Sequence, residues 1–384
     1  MRAFLTIIAL WCAGLGAAAQ FGKISVAYQA LGLAYSGYEG IWIGLKVSIV
    51  GMVGLVFGTT AGLVVARVGA RRAILTALVL GAAVSLVESF LPSYPVMMLA
   101  RLLEGASHLA IVIVGPTAIA AIASPARQSA AMTLWSSFFG LTYAVLAWIG
   151  PEILQDYGIA GLFRLHAIWL LACTAALWPL MPADVKPNVV TGQGGILAQH
   201  WHIYASPFIA APATGFVCYT VTYVAILTLM PKAMGMWGHF AGVAMPLTSI
   251  AVSLTLGVWL LGRVSAVRLV EAGFVVASLS AVVLWLTWGQ NAVIAPALVL
   301  AANLGIVQGA SFASIPQLNP RADDRARAAG AIAQLGNLGT TTGTPLLAFL
   351  MEKAGAAGLS LFLLGFSALG LGIHLVQGRR RALR

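Results

Sequence analysis

Apolar stretches of about 20 residues follow one another along this chain of 384 residues, and charged residues stand almost only at their ends. A helix of that length rises about 30 Å, the thickness of bilayer hydrocarbon. Hydrocarbon offers no water to the backbone, so segments of this kind are expected to be helices that cross a membrane. Twelve spans are expected. The first six are Leu5–Leu31, Ile41–Ala66, Ala73–Leu91, Pro95–Ile122, Ala130–Leu154 and Gly161–Met181. The second six are Ile203–Met230, His239–Gly262, Leu269–Trp288, Ala292–Pro316, Ala328–Met351 and Leu359–Val376. Pro, Gly and polar residues from Pro182 to Gly195 break the pattern and read as a linker. The expected domains are therefore an N-terminal six-helix bundle over 1–181, a cytoplasmic linker over 182–202, and a C-terminal six-helix bundle over 203–384 with a short basic tail.

Composition agrees with this class. The chain is 60% hydrophobic and 8% charged, where a soluble domain carries about a quarter charged residues. Its net charge of +11 is scattered at the ends of apolar blocks, which excludes a nucleic-acid-binding surface and fits the positive-inside rule. With the N-terminus inside, the inner side collects Arg2, Arg67, Arg71, Arg72, Arg127, Lys186, Arg263, Arg268, Arg321, Arg325, Arg327 and the tail from Arg379 to Arg384. Both termini are then expected in the cytoplasm, at the inner (plasma) membrane. The run Ala17-Ala-Ala19 has the look of a secretory cleavage site, but removal would unbalance the two halves, so the first helix is expected to be retained. Cys12, Cys173 and Cys218 lie in apolar blocks without metal spacing.

One inner turn repeats. Gly62-Leu-Val-Val-Ala-Arg67-Val-Gly69-Ala-Arg71-Arg72 returns about 195 residues later as Gly257-Val-Trp-Leu-Leu-Gly262-Arg263-Val-Ser-Ala-Val-Arg268. A turn repeated once per half points to two related halves. A second echo pairs Glu104-Gly105-Ala106-Ser107 with Gln308-Gly309-Ala310-Ser311. No phosphate loop, dinucleotide fingerprint or His-Glu-x-x-His motif occurs, so no enzymatic activity and no cofactor are expected.

The first copy of the turn resembles the signature of the major facilitator superfamily between its second and third helices, G-x-x-x-D-R-x-G-R-[RK]. Gly62, Arg67, Gly69 and Arg71 match, whereas Ala66 replaces the aspartate and Ala70 stands at the first late arginine. Arg101-Leu-Leu-Glu104-Gly105 resembles the family's motif in the fourth helix, and Lys23, Lys46 and Arg101 faintly resemble its cyanate- and nitrate-type branches. The resemblance implies a secondary transporter with twelve helices in two pseudo-symmetric bundles, working as a monomer by alternating access. It also implies a conformational switch at Gly62, Arg67, Gly69, Arg71, Arg72, Arg263 and Arg268, whose latch lacks its acid. Helices one, four, seven and ten would line the cavity, which places Lys23 and the fourth helix there.

Charges at membrane depth carry the functional expectation, because they are costly and rarely face lipid. Arg101, Glu104 and His108 share one helical face. Lys23, Lys46 and Arg101 against Glu104 leave an excess of about two positive charges, which Glu88, near the outer end of helix three, would reduce. A small organic or inorganic anion is the expected solute, bound by Lys23, Lys46, Arg101, Tyr219, Tyr223, Asn303 and Gln308, with Glu104 and His108 carrying a coupled proton. Two alternatives remain open. The tryptophans suit a drug or lipophile exporter, and Met230, Met234, Met236, His239 and Met245 suit a Cu(I) importer.

Overall fold

The computed structural model describes residues 1–38, 41–58, 61–124, 131, 134–135, 137–184 and 196–383, and at 62, 63, 66, 120, 196–199, 322, 323 and 326 the description stops at the backbone. Arg127, Lys186 and Arg384, and the side-chain surroundings of Gly62 and Ala66, lie outside it. The fold is all-α, with no strand among the described residues. Two compact units divide the chain, Met1–Val190 and Thr191–Arg384.

In the first unit α1 (Arg2–Val26) is a long central helix, followed by the short α2 (Tyr28–Ala34). The expected span Ile41–Ala66 is broken into α3 (Ile41–Ser48), α4 (Gly51–Phe57) and α5 (Ala61–Val68). Then come α6 (Ala70–Glu88), α7 (Tyr94–Ile122) and α8 (Phe138–Leu180). In the second unit α9 (Ile196–Ala205) occupies residues expected as linker up to 202. It is followed by α10 (Ala211–Ala233), α11 (Gly238–Val252), α12 (Val258–Leu261), α13 (Ala266–Thr287), α14 (Ile294–Leu318) and α15 (Ala322–Ala382).

Nine stretches of described helix are long and apolar enough to cross a membrane. Two of them, α8 and α15, are broken at Gly158 and Gly355, glycines with positive φ that fall where the sequence places turns. Splitting both would give eleven, and the fragmented residues 41–68 stand where the twelfth is expected. The outward faces are apolar as lipid requires: Trp148, Trp178, Leu279 and Leu361 are exposed. The core of the first unit is built from Leu10, Ala13, Ala17, Ile74, Leu78, Ile111, Val114 and Leu170, where small residues on α1 let α6, α7 and α8 close around it.

The two units repeat one helix crossing. A Cβ at Gly105 of α7 would collide with the Val50 carbonyl, and a Cβ at Gly305 of α14 with the Ser249 carbonyl. Only glycine permits such backbone approach. This correspondence pairs Gly105 with Gly305 and not with Gly309, as the sequence echo would have it. Consistent with that, Ser107 reaches across to the Ala77 carbonyl at 2.7 Å, whereas Ser311 bonds its own helix at Val307.

Candidate functional site

The break between α3 and α4 begins the site. It leaves backbone carbonyls facing the bundle interior, and Arg101 of α7 takes them up: Nε donates to Lys46 O at 2.8 Å and Nη2 to Val47 O at 3.4 Å. Nη2 also donates to Gln20 O on α1 at 2.6 Å, and Nη1 donates to Glu104. The planar fork of the guanidinium allows one side chain to tie three helices and a carboxylate together.

Around that guanidinium lies an ionic network with no solvent exposure. Lys23 Nζ of α1 donates to Glu88 Oε2 at 2.6 Å, Glu104 Oε1 at 2.7 Å and Ser85 Oγ at 2.8 Å. Glu88 and Ser85 stand three residues apart at the end of α6 and therefore on one face. Arg101 Nη1 lies 3.7 Å from Glu88 Oε1. That oxygen accepts no hydrogen bond among the described residues, while both oxygens of Glu104 are engaged. His166 of α8 closes the cluster. Its Nε2 lies 2.9 Å from the Gly16 carbonyl, which can only accept, so Nε2 carries the proton. Nδ1 is then the acceptor, for Ser85 at 2.9 Å or Lys23 at 3.2 Å.

Lys23, Arg101, Glu88 and Glu104 are all fully buried and sum to zero charge. Ions of that kind survive in a low-dielectric interior only through mutual pairing and hydrogen bonds. Lys46 stands apart. Its Nζ is buried without a hydrogen-bond partner among the described residues, 4.7 Å from the ring centre of Tyr35 and 5.0 Å from that of Tyr94. The quadrupoles of the two rings face the ammonium. Counting it, three cations oppose two carboxylates, so the excess is one positive charge and not about two. Glu88 makes the difference, because it is buried against Lys23.

His108 shares the face of Arg101 and Glu104 but not their cluster. It is buried one turn further along α7, where Nδ1 lies 3.0 Å from the Ala17 carbonyl and the ring packs edge-on to Phe21. In the second unit Tyr219 and Tyr223 stack at 5.1 Å on α10. Tyr223 donates to Ser249 Oγ at 3.3 Å, and the buried Tyr219 hydroxyl has no partner among the described residues. Asn303 binds the Gly273 carbonyl at 2.8 Å and so joins α14 to α13; Gln308 is half-buried. Met234 and Met236 line a small cavity with Trp237 and Trp288, and no metal-holding cluster of His, Cys, Asp and Glu occurs among the described residues.

At the switch turn, an acid from another part of the chain takes up the helix end. Gly69 has φ 96° and precedes α6, and the Asp184 carboxylate accepts the N–H groups of Arg71 at 2.8 Å and Arg72 at 3.1 Å. This satisfies donors left open at the helix N-terminus and places a negative charge on its positive end. Arg71 extends to the Trp178 carbonyl at 2.7 Å and lies over the Trp178 ring, while Arg67 is exposed. The second copy of the turn uses a neutral cap, Gln317 Oε1 on the Ala266 N–H at 2.8 Å. Arg263 folds over Trp259 and Arg268 is exposed.

Gln20, Ser85, His166 and Asp184 are not evident as functional residues from the sequence. The available signals are weak: His166 is the lone histidine of its span, and Asp184 is the sole acid of the expected linker.

Nine described stretches of helix long and apolar enough to cross a membrane, with acidic and basic side chains paired in their interior, mark a multi-pass membrane protein. Residues 6–344 match the Major Facilitator Superfamily, and the chain belongs to that family. It is similar to the inner membrane transport protein YajR of Escherichia coli strain K12, with 24% identity over 205 residues. That match covers 52% of this chain and 44% of YajR, under half of the relative's length.

Proposed function

We propose that this chain is a secondary transporter of the inner membrane that carries a small organic or inorganic anion together with a proton. The two bundles would alternate access to a site near the midplane, with both termini in the cytoplasm and a monomer as the working unit. The supporting observation is the exact cancellation of charge among Lys23, Arg101, Glu88 and Glu104, all without solvent exposure. A neutral network attracts no anion. Protonating one carboxylate leaves a cation unbalanced, and an anion then restores neutrality. Within these four groups proton and anion are bound together, because there each alone leaves a buried charge uncompensated; the charge of Lys46, held over the rings of Tyr35 and Tyr94, is present in either state. Lys46, the cation without a carboxylate, adds attraction for the anion from beside the network.

The test uses the purified chain in proteoliposomes, loaded with candidate carboxylates and inorganic anions. Glu88→Gln and Glu104→Gln each mimic a protonated acid. At least one should exchange the anion across the membrane without responding to an imposed pH gradient. If both variants accumulate the anion against its gradient as the parent does, proton coupling through these acids is wrong.

A further inference from the structure

A polar cavity of about 550 Å³ lies wholly within the second unit, apart from the transport site proposed above. Its polar lining comes from His202, Ser206, Asn319, Arg321, Asp324 and Arg327, with Phe208, Ile209 and Leu318 behind them. Residues 202–209, the last turn of α9 and the link towards α10, form one wall, and residues 318–327, from the end of α14 into the start of α15, form the other.

The walls are pinned before any ligand arrives. Asn319 Nδ2 donates to Phe208 O at 3.2 Å, and Tyr204 Oη to Gln334 Oε1 at 2.8 Å. From the chain's end, Arg380 binds the Ala205 carbonyl at 3.0 Å and Arg381 the Pro207 carbonyl at 3.1 Å. A preformed cavity spares a ligand much of the ordering cost of binding.

Its charge favours an anion. Residues 321–327 carry three arginines and two aspartates. Asp324 is taken by Arg327 at 3.3 Å, and Arg327 also donates to His202 Nε2 at 3.2 Å. Arg321 is exposed at the cavity, and its side chain has no hydrogen bond or ion pair among the described residues. Arg379, Arg380 and Arg381 stand at the same end of the unit. Beside the cavity, Trp201 is 78% exposed, and the apolar α10 begins only a few residues beyond. An exposed tryptophan next to arginines and the start of an apolar helix marks the depth of lipid headgroups.

We propose that this cavity binds a phosphate group, gripped by Arg321 and Arg327, with His202 beside them. A headgroup of an anionic phospholipid and free inorganic phosphate present the same chemistry, and the experiment separates them. The thermal midpoint of the purified full chain is measured in detergent with added phosphatidylglycerol, with phosphatidylcholine of the same acyl chains, and with inorganic phosphate. Phosphatidylglycerol should raise the midpoint by several degrees, phosphatidylcholine should not, and Arg321→Gln should remove at least half of the shift. Arg164→Gln, the same charge change at an exposed site on α8, should retain it. If inorganic phosphate alone reproduces the shift and its loss in Arg321→Gln, the ligand is a soluble phosphate. Loss of the shift equally in both variants, or an undiminished shift in Arg321→Gln, or no shift with either phosphate source, overturns the site.

Discussion

Replacing Arg101 by Met should be among the most damaging single changes in the first unit, and replacing Glu104 by Gln alongside it should repair part of the damage. Arg101→Met removes a positive charge from a balanced set of four and leaves Glu88 and Glu104 sharing Lys23. Breaking a buried pair from one side costs about 3–5 kcal/mol. For a unit the size of Met1–Val190 that corresponds to a fall in thermal midpoint of roughly 6–20 °C. The double variant returns to a neutral set, Lys23 with Glu88, but three carbonyls remain without the guanidinium: Gln20, Lys46 and Val47. At about 1 kcal/mol for each lost hydrogen bond, a deficit of roughly 2–3 kcal/mol should persist. Thermal unfolding of the three variants in one detergent reads this directly. Losses that simply add would show that Arg101 and Glu104 are not energetically coupled. The double variant should stay poor in transport, because it lacks the guanidinium that the anion would meet. Recovery of transport along with stability would show that Arg101 only neutralises Glu104.

Gly69→Ala should slow transport several-fold while leaving anion affinity near that of the parent, since it strains a positive φ by about 1–3 kcal/mol and drives a methyl into Asp184. Uptake rate and equilibrium binding, measured on one preparation, would separate the two effects, and lost affinity would contradict a role in state exchange. Lys46→Met should leave the thermal midpoint unchanged or slightly higher, because it removes a buried ammonium that has no hydrogen bond among the described residues. The same change should weaken anion binding by about tenfold, worth 1.4 kcal/mol; isothermal titration would detect it, and undiminished affinity would exclude Lys46 from recognition. A cysteine placed at Gly192 should react with a membrane-impermeant reagent only after cells are opened, and labelling of intact cells would reverse the orientation.

Much of the helical frame can be read from the chain because lipid leaves the backbone little choice. The turns at Gly158 and Gly355 coincide with the polar ends of apolar blocks. The fragmentation of residues 41–68 is less visible, since Gly51, Gly54 and Gly58 sit equally well in a continuous membrane helix. Within the site, Arg101 and Glu104 are recognisable as a pair because i and i+3 share a helical face. Lys23 and Glu88 are 65 residues apart, and only the packing of α1 against the end of α6 brings them together. Glu88 consequently looks like a loop-edge acid in the sequence, which inflates the apparent positive charge. Asp184 escapes notice for a related reason: the signature turn draws attention to Ala66, while the acid that caps α6 follows more than a hundred residues later. The echo between Glu104-Gly-Ala-Ser107 and Gln308-Gly-Ala-Ser311 misleads because small residues recur throughout membrane helices, whereas the contact at Gly305 depends on a single atom's absence.

Coupling of proton uptake to anion binding is the central claim, and it can be measured without transport. The purified chain, held in weakly buffered detergent solution with a pH indicator, is mixed with a saturating concentration of an anion shown to bind. About one proton should be taken up per anion bound, and Glu88→Gln or Glu104→Gln should abolish the uptake while binding continues. Anion binding by the parent chain with no change in proton content would contradict the account.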